Sequence, residues 1–311
     1  MRLNPALLVG ASLLTFACGQ GADPSDSTQE SLDRSRVAFG INLRGDPIGA
    51  GRTAGFALER IYHNPGDRSL DSRELALIAK GVRIHTSIKG SGSWQNVTNG
   101  GDDAALTAFL LDLKARGGVA VYFSFHHEMD GDDSFGTPEQ YAAAAQHVWQ
   151  LAQTLKVNHG AGGNVFWVWN VTGFGARGPG YAFPQRITPY YPGDPYVDFI
   201  GADIYNFDGC VGRPLNSFHD AIQGILDWRV AQKHWKPIFL PEVGSVRGSS
   251  ATSQADWVRA MAVDLQTASR SPVVAIEYWS SVATCDTSLN AAGIAAYQAL
   301  GKDPYFGAPL P

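Results

Sequence analysis

Short apolar runs alternate with longer amphipathic stretches along most of this chain. Apolar runs at 37–41, 58–62, 82–86, 119–125, 165–169, 197–201, 237–240 and 273–276 predict strands, 58–62 being the weakest. The stretches between them carry helical spacing and helical punctuation. Residues 72–80 precede the third run. The 102–116 stretch places Leu106, Phe109, Leu110 and Leu113 on one face and stops at Gly117 and Gly118. Thr137-Pro138-Glu139-Gln140 reads as a capping box with proline at the first helical position. Further helices are expected at 217–232, 253–269 and 290–300. No clear helix separates the fifth and sixth strands, where 174–194 is rich in Gly, Pro and Tyr. A loop of that length in a compact domain is usually functional.

Eight strands over roughly 275 residues, each followed by a crossover, predict an α/β fold: a single-domain (β/α)8 TIM barrel. The competing architecture is an open doubly wound sheet. It is weakened because no glycine-rich phosphate fingerprint follows the first strand. There is no internal repeat.

The N-terminus changes the picture of location. Arg2 precedes an apolar stretch at 6–16 that is too short to span a bilayer, and Ala17-Cys18 follows. Residues 1–18 therefore read as a signal peptide, either of the lipoprotein type with Cys18 as the lipidated residue or cleaved in the ordinary way. Residues 19–36 are rich in Ser, Asp, Gln and Gly and read as a disordered linker. The folded domain is then 37–311, secreted or held at the cell surface by a lipid. Of the three cysteines, Cys210 and Cys285 remain as a pair, and an exported chain lets them bond. Two buried thiols are the alternative. A net charge of −5 argues against a nucleic-acid partner, and no cysteine spacing suggests zinc. The 11% of aromatic residues suits either a well-filled core or a carbohydrate cleft.

In a barrel of this kind chemistry sits where strands end. The fourth apolar run ends in His126-His127-Glu128-Met129-Asp130-Gly131, the seventh in Pro241-Glu242-Val243-Gly244. Each places a glutamate at the barrel mouth, and the two would face one another across a cleft. Acetal cleavage needs such a pair: one carboxylic acid protonates the leaving oxygen, the other attacks the anomeric carbon or activates water. A metal-dependent hydrolase using His63, His85 and His126 is a rival, although no spacing motif supports it. No metal or organic cofactor is expected.

These motifs resemble glycoside hydrolase family 26, a retaining (β/α)8 family best known for β-mannanases. His127-Glu128-Met129-Asp130-Gly131 is similar to its His-Glu-Met-Asn-Gly motif, and Pro241 to Gly244 to its nucleophile strand. The segment from Tyr190 to Tyr205 is similar to its approach to the sixth strand, and Trp279 stands where the family has an aromatic. The resemblance covers about 37–300. It implies Glu128 as acid/base and Glu242 as nucleophile. It implies substrate contacts from His127, Tyr205 and Trp279, with Tyr205 donating to the nucleophile; Trp169 is a further candidate for a sugar contact, with core packing as its alternative, and Phe135 is taken as a substrate contact beside the motif. Glu277 is read as a structural charge deeper in the barrel, paired with an arginine. Asp130 departs from the family's Asn, and Phe135 is the only ring shortly after the motif. The implied activity is a retaining hydrolase of β-linked plant-type polysaccharide, first of all an endo-β-1,4-mannanase. Alternatives are a β-1,3-1,4-glucanase or β-1,3-xylanase of the same family, or a non-catalytic surface glycan-binding protein. A monomer is expected.

Overall fold

The computed structural model describes residues 37–42, 58–173, 186–247 and 253–306. The expected signal peptide, the linker, Cys18 and part of the 174–194 loop lie outside them.

Eight parallel strands close into one barrel in sequence order. They are β1 (Ala38–Asn42), β2 (Leu58–His63), β3 (Arg83–Ile88), β4 (Val121–Phe125), β5 (Val165–Thr172), β6 (Phe199–Asn206), β7 (Ile238–Ser245) and β8 (Val273–Trp279). The open-sheet alternative is excluded by the β1–β8 pairing, Ala38 to Ala275 through Asn42 to Trp279. Every expected strand is present, but β5 to β8 run three to five residues beyond their apolar runs.

The helices are α1 (Ser72–Ala79), α2 (Trp94–Thr98), α3 (Asp103–Lys114), α4 (Pro138–Thr154), α5 (Phe218–Ala231), α6 (Gln254–Leu265) and α7 (Ala291–Leu300). Their starts follow local chemistry. Asp71 with Glu74, and Thr137 with Gln140, form complete capping boxes, satisfying N–H groups that have no partner inside the helix. Ser217, Ser253 and Asn290 cap α5, α6 and α7 in the simpler way. Between β5 and β6 the described residues form only short turns, at Thr188–Tyr190 and Asp194–Tyr196 among them. No helix among the described residues is long and apolar enough to cross a membrane.

Side-chain alternation divides the barrel into two regions. At the N-terminal ends, Ala38, Leu58, Tyr122, Phe166, Phe199 and Phe239 point inward and pack as an apolar floor. The Tyr122 ring lies 5.5 to 5.7 Å from Phe166, Phe199 and Phe239. Outward residues of the same strands, such as Phe123, Trp167, Ile200 and Leu240, pack with Phe109, Leu110, Val148, Ile222 and Val258 of the helices.

Candidate active site

The inward positions above the floor are polar. On β2, Leu58 in the floor is followed at two-residue steps by Arg60 and Tyr62. On β6, Phe199 is followed by Gly201, Asp203 and Tyr205, and on β8, Ala275 by Glu277 and Trp279. Strand β7 reaches the same end differently. Phe239 faces the floor, while Leu240 and Val243 both join the outer core. Strict alternation would turn Glu242 outward with Leu240. The pairing with β6 instead advances two residues, Gly201 to Asp203, against three, Phe239 to Glu242. This bulge sits at Pro241, which cannot donate to the ladder, and it re-aims Glu242 inward beside Asp203.

Glu128 arrives from the opposite flank. It follows β4, with His126 at φ 50° and Glu128 at φ 55°, both in the left-handed region that non-glycine residues rarely adopt. Its N–H donates to the Asn170 carbonyl at 2.9 Å, and its own carbonyl accepts from Gly131. Asp130 secures the turn. Its carboxylate accepts from the Thr172 N–H at 2.7 Å and the Thr172 hydroxyl at 2.6 Å, and Arg186 lies 3.6 Å away. Arg186 also donates to the Asp130 carbonyl. Asp in place of the family's Asn is thus matched by two donors and a cation, an arrangement that suits a carboxylate.

Glu128, Asp203 and Glu242 each bring a carboxylate oxygen within 4.8 Å of the other two. Glu128 and Glu242 line one pocket of about 330 Å³ with Tyr205, Phe207, Val211, Trp279 and the 283–287 segment. A smaller cavity of about 160 Å³ behind Tyr205 and Phe207 has no carboxylate in its lining, so the chemistry belongs to the larger one.

The two glutamates live in different surroundings. Burial, then the neighbouring Glu242 charge, raises the Glu128 pKa to about 7. Glu242 is held by two phenols: Tyr62 donates to one carboxylate oxygen and Tyr205 to the other. Burial holds both phenols protonated, so both remain donors. Asp203 is pushed well above the ordinary carboxyl range by burial, then by the charges of Glu242 and Glu128. It accepts from the Asn170 amide at 3.1 Å and, as a neutral acid, donates to Glu128. Burial works against the charge of Arg60, but Tyr62, Glu242, Glu277 and Asp203 outweigh it. Its guanidinium lies over the Tyr62 ring, 4.3 Å from the centroid.

The expected site residues divide accordingly. Glu128, Glu242, Tyr205 and Trp279 meet at the pocket. Trp279 is half-buried with its edge to Tyr62, 5.2 Å between centroids, and it borders the pocket as a sugar platform must. His127 stands beside them, 3.0 Å from the Ser87 hydroxyl and edge-on to Tyr62. For Trp169 the structure favours core packing over a sugar contact. Trp169 has the outward parity of Trp167 and is buried against Tyr191 and Trp228. Phe135 is half-buried and packs on His126 at 4.4 Å and on Trp94. Glu277 is corrected in part. It lies deep in the barrel, but its hydrogen-bond partner is His85 at 2.6 Å, and Arg60 acts on it only through its charge. Burial keeps Glu277 protonated and His85 neutral. Glu277 then donates to His85, His85 to Ser124, and Ser124 to the Val168 carbonyl. The three histidines of the metal rival do not converge. His63 binds Asp67 and Glu74, His85 binds Glu277 and Ser124, and His126 binds Trp94 and Asp132.

Tyr62, Asp203 and Arg60 went unrecognised in the sequence. Their signal was parity: each lies an even number of residues beyond a floor residue of its own strand. Cys210 and Cys285 form the expected disulfide.

A closed (β/α)8 barrel with two unequal carboxyl groups at its mouth has the parts that acetal cleavage needs. The model of glycosyl hydrolase family 26 matches residues 96–227. The match covers less than half of the chain, and over that stretch the chain is similar to the family. A β-1,3-xylanase of a Vibrio species is 26% identical over 152 residues, which is 49% of this chain and 29% of that protein. A β-1,3-xylanase of an Alcaligenes species is 24% identical over 54% of this chain and 32% of its own length. The matches thus span about a third of these curated relatives. Among solved structures, a family 26 β-mannanase from Bacteroides ovatus superposes with a TM-score of 0.63 at 16% identity, covering 92% of this chain and 94% of that one. A Cellulomonas fimi endo-β-1,4-mannanase double mutant gives 0.62 at 17% identity over 92% and 75%. These likenesses show a shared fold.

Proposed function

We propose that this protein is a retaining hydrolase of β-linked glycans that works by double displacement. The observation that carries the reading is the approach of Glu128 and Glu242 oxygens to within 4.8 Å. Retaining enzymes hold their carboxyl groups about 5 Å apart, whereas inverting enzymes leave room for a water at about 6.5 Å or more. Glu128, whose pKa is raised to about 7, protonates the glycosidic oxygen as the C–O bond breaks. Glu242, its two oxygens fixed by Tyr62 and Tyr205, attacks the anomeric carbon and forms a glycosyl ester. Glu128 then takes a proton from water, which attacks the same carbon and releases Glu242. Asp203 donates to one Glu128 oxygen and leaves the other to deliver the proton.

On the motif around Glu128 we assign the substrate as a β-1,4-mannan cleaved internally. A β-1,3-xylan is the second reading, favoured because both relatives described above are named β-1,3-xylanases. The place of action we propose is outside the cytoplasm, secreted or lipid-anchored, a location the Cys210–Cys285 bond supports. The test is product release from mannan, β-1,3-xylan and mixed-linkage glucan by wild type and Glu242→Ala. Turnover of one glycan that vanishes in the variant is expected. Tight binding with no product would favour a glycan-binding protein instead.

A further inference from the structure

The Cys210–Cys285 disulfide ties the segment after β6 to the segment after β8. Both segments wall the pocket that holds Glu128 and Glu242. Phe207 and Val211 come from the first, and Ala283, Thr284, Cys285 and Thr287 from the second. The first segment reverses sharply over 210–213, where the Arg213 N–H donates to the Cys210 carbonyl at 3.1 Å. The two residues between them are left-handed, Val211 at φ 48° and Gly212 at φ 68°. Positive φ at both central positions is the type I′ pattern, in which the first position takes Asn, Asp or Gly. Valine is the opposite choice, because a β-branched side chain is a true outlier there.

Burial does not compensate, since Val211 is 63% exposed. A strained and exposed apolar side chain does nothing for the fold, and strain of this kind collects where function requires it. Its position supplies the reason. Val211 borders the pocket together with Phe207, whose ring stacks on Tyr205 at 5.0 Å and 11°. Tyr205 in turn holds Glu242.

We propose that Val211 is a substrate-contact residue: with Phe207 it forms an apolar rim against which a sugar unit next to the cleaved bond rests its C–H face. The proposal rests on the hydrolase reading and deepens it. A rim without hydrogen-bonding groups recognises the apolar face of a pyranose and selects an unbranched backbone at that subsite. The disulfide holds the rim in place from the opposite wall.

Val211→Gly and Val211→Asn both suit a positive φ and both remove the apolar contact. Each is expected to raise the melting temperature while lowering kcat/KM on the cleaved hexasaccharide by roughly tenfold, mainly through KM, the scale of one lost apolar contact. Unchanged kcat/KM in both variants overturns the proposal. Hexasaccharide affinity in Glu128→Gln, with and without Val211→Gly, separates this inference from the hydrolase reading. A wild type that binds without cleaving, and loses about tenfold in affinity with Val211→Gly, keeps the rim and removes hydrolysis. A protein that neither cleaves nor binds mannan, β-1,3-xylan or mixed-linkage hexasaccharides overturns both.

Discussion

The floor and the mouth of this barrel stand on the same ring of strands and, except at the β7 bulge and the turn after β4, share one inward–outward alternation, yet different forces hold them. The floor is a set of rings around Tyr122, stabilised by dispersion and by removal of apolar surface from water. The mouth gathers Glu128, Asp203, Glu242 and Arg60 in a largely buried space. It persists because two phenols and the Asn170 amide bond to carboxylate oxygens, because the Arg60 charge offsets theirs, and because Asp203 keeps its proton. The floor can therefore be perturbed without touching chemistry, while the mouth trades stability for it. Of the five non-glycine residues at left-handed φ among the described residues, His126, Glu128 and Val211 lie at the mouth or on the pocket wall, while Lys156 and Lys233 follow helix ends.

The sharpest break of this contrast is Glu242→Ala, expected to lower kcat by about 10⁴-fold or more, as loss of a covalent nucleophile does. Steady-state turnover checks it, and azide restoring turnover with formation of an inverted glycosyl azide would mark the missing group as the nucleophile. Glu128→Gln comes next, with a loss of about 10²–10⁴-fold on substrates with poor leaving groups. In the proposed mechanism Glu128 acts in its protonated form, and its pKa is raised to about 7. Wild-type kcat/KM is accordingly expected to hold below pH 7 and fall as pH rises through it, and that basic limb should disappear in Glu128→Gln. Phe239→Ala attacks the floor instead. It is expected to cost about 3–5 kcal/mol of stability by denaturant unfolding, with kcat nearly unchanged at temperatures where the variant is folded. The smallest effect expected is for the Cys210→Ser, Cys285→Ser pair, about 2–4 kcal/mol for a cross-link spanning 75 residues. Its melting curve checks it. A larger loss of activity than of stability would show that the staple serves the pocket wall.

The same contrast explains what could be read from the chain alone. The floor and the outer core are apolar, so hydrophobic runs located all eight strands. Those runs stop where inward residues become polar. Asn170 and Thr172 on β5, Asp203 and Tyr205 on β6, and Glu242 on β7 lie inside strands that hydrophobicity ends too early. Motif chemistry recovered Glu128 and Glu242, but not Tyr62 on the weakest run or the neutral Asp203 between the glutamates. Trp169, an aromatic near a strand end, reads as either platform or core until its parity is counted from Phe166 in the floor. Helix α2, five residues long, is too short to show a period. The bulge at Pro241 left only a proline as its mark, although it decides which way Glu242 points.

In the proposed mechanism Glu242 attacks carbon directly, with no water between the two glutamates. Proton NMR of the first product formed from the glycan that this protein cleaves tests it most directly. Direct attack by Glu242 releases the β-anomer first, which then mutarotates. Initial release of the α-anomer would mean that water attacks from the opposite face, and would contradict it.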